Sequence, residues 1–316
     1  MVVLAAVAML TVACGNAGVP TDPAPVGAVS PPQPADVGGA DKTSSGTTVN
    51  TCNALASQRP TNGTSVLNGS TMEKIKERGK LIAGVDQTTF LFGFRNPTTG
   101  TLEGFDIDMV KAVAKAIFGS DDSKYIQFKA ISSQQRVPVL QKHSVDIVVR
   151  TYSITCDRLK DIDFSTVYYV SGQRILVTGN SPVAKLTDLA GKRVCATKES
   201  TSLTKIESDP SKPVPVSVDN WSDCLVMLQQ GQVAAVSTDD VILAGMAAQD
   251  PTLKIVGDPF TEEDYGIGIP KGEDDMVQFV NAVLEHVRSD GPWQSSYQRW
   301  IQPRLPGLSP PQAQYK

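Results

Sequence analysis

The sequence predicts an α/β protein of two lobes, each a mostly parallel sheet flanked by helices. Short runs rich in β-branched residues alternate with amphipathic helical patterns along most of the chain, which is the arrangement of parallel βαβ units. The series restarts after residues 164–172 (FSTVYYVSG) instead of extending a single sheet. We therefore expect two separate sheets, one before and one after this segment.

The first series of elements precedes that segment. Strands are predicted at residues 80–85, 125–131 and 145–149, and helices at residues 105–118 and 133–140. The helix at 105–118 has a repeating apolar face, and Asp106 or Asp108 near its start suits the helix dipole. The strand at 145–149 (VDIVV) is almost wholly apolar, which is typical of a strand covered on both faces.

The second series follows the same pattern. Strands are predicted at residues 173–178, 193–196, 214–218, 233–237, 253–256 and 265–269, and helices at residues 200–207, 221–230, 239–249, 274–288 and 293–301. Trp293, Tyr297 and Trp300 share one face of the last helix and are predicted to dock it. If this tail returns to the first lobe, crossovers near Tyr168 and Asp264 form a hinge, and the cleft between the lobes is the expected ligand site.

The chain before the lobes reads as a leader and a tether. Residues 1–13 are apolar and end in small residues before Cys14, which resembles the lipobox of bacterial lipoproteins, although Thr11 stands where leucine is usual. The alternative is a plain signal peptide with Cys14 incidental. The predicted divisions are a signal peptide at 1–13, a disordered Pro/Ser/Thr/Gly-rich tether at 14–65, lobe 1 at 66–168 and 266–304, lobe 2 at 169–265, and a flexible tail at 305–316.

Charge and motif content argue against several function classes. The net charge of −4 gives no reason to expect a nucleic-acid partner. The two histidines, His143 and His286, are far apart in the chain, and no P-loop, EF-hand or HExxH motif occurs. We therefore expect no metal and no cofactor.

The cysteines fit an extracytoplasmic protein. Apart from Cys14, the chain has four cysteines and no CxxC pair, so two disulfides are expected in an exported protein. Three pairings are possible. We favour Cys195–Cys224, inside one lobe, and Cys52–Cys156, which would fasten the tether to the body.

Several runs in order carry a resemblance to a known family. These include KLIAGVDQTTFLFGF, SSQQRVPVLQKHSVDIVVRTYSITCDRLKDIDFSTVYY, LTDLAGKRVCATKESTS and PFTEEDYGIGIPKG. They resemble the polar-amino-acid-binding proteins of ABC importers (family 3 solute-binding proteins), especially glutamate/glutamine-binding lipoproteins of actinobacteria. The resemblance implies a monomeric, hinge-closing protein of the type II periplasmic-binding-protein-like fold, without catalysis. Its expected partners are an amino acid, ABC permease subunits or a membrane sensor, and the membrane through the lipid anchor.

A free amino acid carries both charges, so its burial requires an opposite charge at each end. Arg158 matches the family's carboxylate-binding arginine, with Thr151 and Ser153 as further donors in the same loop. Asp239 matches the aspartate that accepts from the α-ammonium group. The structural alternatives are a solvated Arg158 and an Asp239 that only caps a helix.

Five further residues complete the expected site. Ser200 and Thr201 begin a helix whose free N–H groups suit an anion, and Thr197 lies in the same loop. Arg136 resembles the arginine that acidic-amino-acid binders place toward the ligand side chain, and Phe90 is a candidate wall residue.

The inner charges favour an acidic ligand. Arg136 and Arg158 outweigh Asp239 by one positive charge, which suits glutamate or aspartate. Asp86 stands where some aspartate/glutamate binders carry a further arginine. The absence of that positive charge weakens the case for an acidic ligand alone, so glutamine or asparagine is also admitted. The other functions considered are a sensory module and a dehydratase that would use Glu199.

Overall fold

The computed structural model describes residues 31–39 and 52–316. The predicted signal peptide, Cys14 and most of the tether lie outside the described residues. The bounds of the strands and helices are as follows. The strands are β1 Leu81–Val85, β2 Thr88–Thr89, β3 Gly93–Arg95, β4 Leu102–Glu103, β5 Ile126–Ala130, β6 Ile147–Val148, β7 Ile162–Phe164, β8 Tyr169–Ser171, β9 Gln173–Thr178, β10 Arg193–Thr197, β11 Val214–Val218, β12 Ala235–Asp239, β13 Leu253–Val256, β14 Glu263–Tyr265 and β15 Gly268–Pro270. The helices are α1 Thr71–Arg78, α2 Phe105–Phe118, α3 Arg136–Gln141, α4 Arg158–Asp161, α5 Thr201–Ser208, α6 Trp221–Gln229, α7 Asp240–Gln249, α8 Asp274–Ser289 and α9 Pro292–Trp300.

Two five-stranded sheets form the cores of two lobes. The sheet of lobe 1 has the order β5-β1-β6-β15-β7, and that of lobe 2 the order β11-β10-β12-β9-β13. In each sheet the first three strands are parallel, while β15 in lobe 1 and β9 in lobe 2 run antiparallel to their neighbours. The predicted two-lobed, mostly parallel α/β fold is confirmed.

The chain passes between the sheets twice, along one short pair of strands. β8 leads from lobe 1 to lobe 2, β14 leads back, and the two pair antiparallel from Tyr169–Tyr265 to Ser171–Glu263. The sequence placed one strand over residues 265–269, which is wrong because Gly266 and Ile267 separate β14 from β15. We call β8 and β14 the hinge strands.

Three local assignments differ from those expected. Residues 133–135 form a 3₁₀ turn before α3, so the helix predicted over 133–140 starts later. Asp239 is the last residue of β12, and α7 begins one residue after it. A small antiparallel sheet of β2, β3 and β4 was not predicted, because its strands are too short to show a period.

The segments on either side of the lobes contact them. Residues 52–65, which the sequence placed in the tether, include Ser57, which donates to the carbonyl of Phe164 at 2.8 Å. Tyr315, in the segment predicted to be a flexible tail, stacks with Arg59 at 4.6 Å. Gly38 pairs antiparallel with Ser217 in β11, with N–O distances of 2.8 and 3.0 Å.

The two disulfides are Cys52–Cys156 and Cys195–Cys224, so both favoured pairings are confirmed. The first joins residues 52–65 to lobe 1, and the second joins β10 to α6 within lobe 2. Among the described residues, no helix combines the length and the apolar character that crossing a membrane requires.

Candidate functional site

A small cavity lies between the lobes, at the carboxyl ends of parallel strands. The space between its walls, open solvent included, is about 230 Å³. Its lining residues, which are mostly polar, are Ser133, Arg136, Thr151, Ser153, Ser200, Thr201, Ser202, Trp221, Asp239 and Ile242. This mostly polar lining, which includes one guanidinium and one carboxyl group, suits a small polar molecule.

Arg136 supplies the positive charge of the cavity wall. It is buried, its Nε donates to the carbonyl of Ser133 at 2.9 Å, and its guanidinium lies 4.3 Å from the centre of the Tyr152 ring. Burial, followed by the positive charge of Arg158, lowers the pKa of Arg136. Because both effects disfavour the cation, an anionic group bound here would relieve them.

Arg158 stands beside the cavity, and the described residues that line the cavity do not include it. One of its nitrogens donates to the carbonyl of Ser153 at 2.6 Å and another to the carbonyl of Glu199 at 3.0 Å. Arg136 donates to the same Glu199 carbonyl, also at 3.0 Å. Two guanidinium groups of lobe 1 thus bind one backbone oxygen of lobe 2.

Asp239 brings a carboxylate into the cavity from lobe 2. It is 4% exposed, and the hydroxyl of Tyr265 donates to its Oδ2. Its Oδ1 is buried without a hydrogen-bond partner among the described residues. Burial and the negative charge of Glu263 raise the pKa of Asp239. A cation at Oδ1 would satisfy this oxygen and oppose that shift.

The start of α5 forms a second part of the lobe 2 wall. Ser200 caps the helix, accepting from the N–H of Leu203 at 3.0 Å while donating to the carbonyl of Thr197 at 2.7 Å. The hydroxyl of Thr201 donates to Glu263 at 2.8 Å. Thr197 is fully buried, and its hydroxyl meets that of Ser133 from lobe 1 at 3.0 Å. Thr197 therefore joins the lobes beside the cavity.

The loop after β6 carries Thr151 and Ser153 into the cavity. Thr151 has a φ of 41°, a left-handed conformation that is uncommon for a residue other than glycine. Its N–H donates to the buried carboxyl of Asp106 at 2.9 Å. Ser153 pairs with Tyr265 of hinge strand β14, so this loop is held from both sides.

Phe90 lines a neighbouring cavity of about 210 Å³. Trp221 and Ile242 belong to the walls of both cavities. The structure thus places Phe90 beside the main cavity and outside its lining.

Sequence reasoning missed several residues here. Ser133, Ser202, Trp221 and Ile242 line the cavity, and Ser133 and Trp221 stand at the first turns of helical segments that follow strands, which was the available signal. Arg150 was also missed. It is fully buried, it pairs with Asp86 at 2.7 Å and it donates to Ser133 at 2.7 Å. Asp86 is therefore neutralised by an adjacent arginine.

Within the part of the chain that the structure describes, no cluster of His, Cys, Asp and Glu is placed to hold a metal ion. The side chains at the cavity can offer hydrogen bonds and two opposite charges.

The chain is similar to several bacterial binding proteins. It is 39% identical to the ABC transporter glutamine-binding protein GlnH of Bacillus subtilis (strain 168), over 73% of this chain and 84% of that protein. It is 31% identical to the glutamate-binding protein GluB of Corynebacterium efficiens, over 72% of this chain and 80% of that protein.

A solved structure described as an ancestral arginine-binding protein bound to glutamine is 35% identical to this chain. It superposes with a TM-score of 0.66, over 71% of this chain and 98% of that one. Residues 81–303 match the family described as bacterial extracellular solute-binding proteins, family 3. This match spans both sheets, the hinge strands and every residue that lines the cavity. The chain belongs to the family 3 bacterial extracellular solute-binding proteins.

Proposed function

We propose that this protein captures a polar amino acid outside the cytoplasm and delivers it to an ABC importer. The observation that carries the proposal is Oδ1 of Asp239, which is buried without a hydrogen-bond partner among the described residues, in a cavity that Arg136 also lines. A zwitterion satisfies both groups at once, since its ammonium group suits the carboxylate and a carboxylate suits the guanidinium.

The ligand class is inferred from the polar lining of the cavity and from the charged side chains of Arg136 and Asp239. We infer an amino acid whose side chain ends in a carboxylate or a carboxamide, namely glutamate, aspartate, glutamine or asparagine. The names of the relatives support this class, because they include glutamine-binding and glutamate-binding proteins. Delivery to an importer is supported in the same way, by a relative named as a component of an ABC transporter.

The roles of the individual residues are part of the proposal. Asp239 accepts from the α-ammonium group, and Arg136, with Arg158 beside it, attracts the negatively charged end of the ligand. Thr151, Ser153, Ser200 and Thr201 offer hydroxyl or N–H groups, and Thr197 stabilises the closed lobes through Ser133. The proposed attachment to the membrane is lipidation of Cys14, which leaves the lobes on a tether.

Asp239→Asn tests this assignment. Removing one partner of a buried charged contact costs about 2–5 kcal/mol, so the affinity for glutamine and glutamate should fall at least about 30-fold. Isothermal titration calorimetry on the wild type and the variant measures this, after a thermal-shift screen over the twenty amino acids has identified the ligand.

Asp240→Asn is the matched control. It makes the same charge change one residue away, where the carboxylate accepts from Ser171 at 2.6 Å and does not line the cavity. Its affinity loss should stay below about tenfold. An Asp239→Asn protein that binds as tightly as the wild type would refute the proposed ammonium site.

A further inference from the structure

Two side chains of hinge strand β14 reach the walls of the cavity. Glu263 and Tyr265 are two residues apart, so they lie on the same face of the strand, and both are buried. Tyr265 donates to Asp239, and Glu263 accepts from Thr201 at 2.8 Å. Each of these partners lines the cavity. The hinge therefore supports two cavity residues directly.

Glu263 is a buried carboxylate without a positively charged partner. It is 4% exposed, and the hydroxyls of Thr201 and Thr261 donate to its two oxygens at 2.8 and 2.9 Å. No arginine, lysine or histidine in residues 31–39 or 52–316 forms an ion pair with it. Its negative charge acts on the neighbouring carboxylate, where it contributes to the raised pKa of Asp239.

Counting Glu263 changes the charge balance around the cavity. Three arginines stand in or beside the wall, namely Arg136, Arg150 and Arg158. Asp86 neutralises Arg150 at 2.7 Å. With Asp239 ionised, as it is when an ammonium group lies against it, Asp239 and Glu263 then stand against Arg136 and Arg158. The wall is then neutral, whereas a count that omits Glu263 leaves one positive charge. A neutral wall suits a ligand without net charge, and an acidic ligand would bring an unmatched negative charge into a buried site.

We propose that Glu263 determines ligand selectivity, acting through Thr201 and through its charge beside Asp239, so that the cavity prefers a carboxamide amino acid to the corresponding acid. This inference rests on the proposed function and specifies its ligand. Glu263 acts as a positioning residue, because Thr201 stands between it and the cavity.

The test is Glu263→Gln. The amide has nearly the same shape, and its oxygen can still accept from Thr201. Its nitrogen would donate to the Thr261 hydroxyl, so the variant removes the charge and reverses one hydrogen bond. Calorimetry at fixed pH and ionic strength gives the dissociation constants of glutamine and glutamate for each protein. We expect the wild type to bind glutamine more tightly. In the variant, the ratio of the glutamate constant to the glutamine constant should fall about tenfold or more.

Asp264→Asn is the control. It removes the same charge from the same strand, but the side chain at 264 is half-buried and points to the opposite face. In Asp264→Asn, the ratio of the glutamate constant to the glutamine constant should change less than about threefold, because charges near solvent are screened. Glu263→Met removes the charge together with the hydrogen bonds from Thr201 and Thr261, and the ratio of the two constants should still fall, because the charge is lost in both variants.

The possible outcomes separate the two proposals. A wild-type protein that binds neither glutamine nor glutamate refutes the proposed function. A wild-type protein that binds them, with a ratio that Glu263→Gln leaves unchanged or that Asp264→Asn lowers equally, refutes the selectivity role of Glu263. If Glu263 had a purely structural role, its replacement would weaken the binding of glutamine and glutamate alike and leave the ratio of their dissociation constants unchanged.

Discussion

A single buried carboxyl, Asp106, holds the backbone of the cavity loop. It is fully buried in the first turn of α2. It accepts from the N–H of Thr151 at 2.9 Å and from the hydroxyl of Tyr168 at 2.7 Å. The first bond supports the left-handed conformation of Thr151, and the second reaches the residue just before hinge strand β8. The sequence suggested only a helix-dipole role for Asp106, because nothing local indicates that a loop 45 residues further along packs against it.

Asp106 should make stability depend on pH. Burial raises the pKa of Asp106 from 3.8 to about 7, against the lowering effect of the hydrogen bonds from Tyr168 and Thr151. The folded protein therefore keeps a proton that the unfolded chain has already lost. Stability from this group is present at low pH and is lost as the pH rises toward 7, by at most about 1.4 kcal/mol per pH unit.

Asp106→Asn isolates this effect, because asparagine resembles the protonated acid but does not titrate. Urea unfolding of both proteins between pH 5 and 8 gives the difference in unfolding free energy. The wild type should lose stability relative to the variant up to about pH 7 and run parallel to it above. A constant difference over this range would contradict the raised pKa.

At the scale of elements, the strand-to-helix junctions build the site. β12 leads directly into α7 at Asp239, and β10 is followed by the loop that leads to α5, where Ser200 caps the helix. The sequence predicted these junctions to within two residues, because apolar strands and capping residues are local signals. Glu263 was not predicted as a functional residue, because its role depends on a contact with Thr201, 62 residues away in the chain. Neither the hydrophobic periodicity of the sequence nor its secondary-structure propensities indicate such a contact.

The two disulfides join different kinds of element and should differ in reactivity. Cys195 and Cys224 are 0% exposed, between β10 and α6. Cys52 is exposed and Cys156 half-buried, in segments outside the sheets. Because exchange requires access of a thiolate to sulfur, a dithiol reductant should open Cys52–Cys156 first in the native protein.

Alkylation followed by peptide mass analysis measures this order. Cys52 and Cys156 should be labelled after mild reduction, while Cys195 and Cys224 stay protected until urea is added. Labelling of the buried pair first, without denaturant, would show that β10 and α6 separate more easily than the structure implies. By chain entropy, the stability lost on opening Cys52–Cys156 is up to about 5 kcal/mol.

At the scale of the whole molecule, contacts between the lobes surround the cavity. Arg136 and Arg158 of lobe 1 bind the carbonyl of Glu199, and Ser133 meets Thr197. On another side of the cleft, Gly245 in α7 faces the backbone of Phe90. A Cβ atom at 245 would lie 2.4 Å from the Phe90 carbonyl oxygen. Glycine is about 1 kcal/mol less favourable than alanine inside a helix, so close approach of the lobes accounts for Gly245.

Gly245→Ala should therefore hinder closure of the cleft without destabilising lobe 2. In the open protein the methyl group meets no lobe 1 backbone and supports α7, so ligand-free stability should be unchanged or slightly higher. In the closed protein the same methyl group would lie 2.4 Å from a backbone oxygen, so the backbone of one lobe must shift. Overpacking of this kind costs about 1–3 kcal/mol, and ligand affinity should fall about 5- to 150-fold.

Calorimetry measures the affinity, and small-angle X-ray scattering measures closure. The radius of gyration of the wild type should fall when saturating ligand is added, and that of Gly245→Ala should fall less. Ala248→Ser adds one atom to the exposed face of the same helix and should bind and close as the wild type does. If Gly245→Ala closes fully and keeps its affinity, lobe closure does not bring α7 against Phe90 in solution, and the glycine requires another explanation.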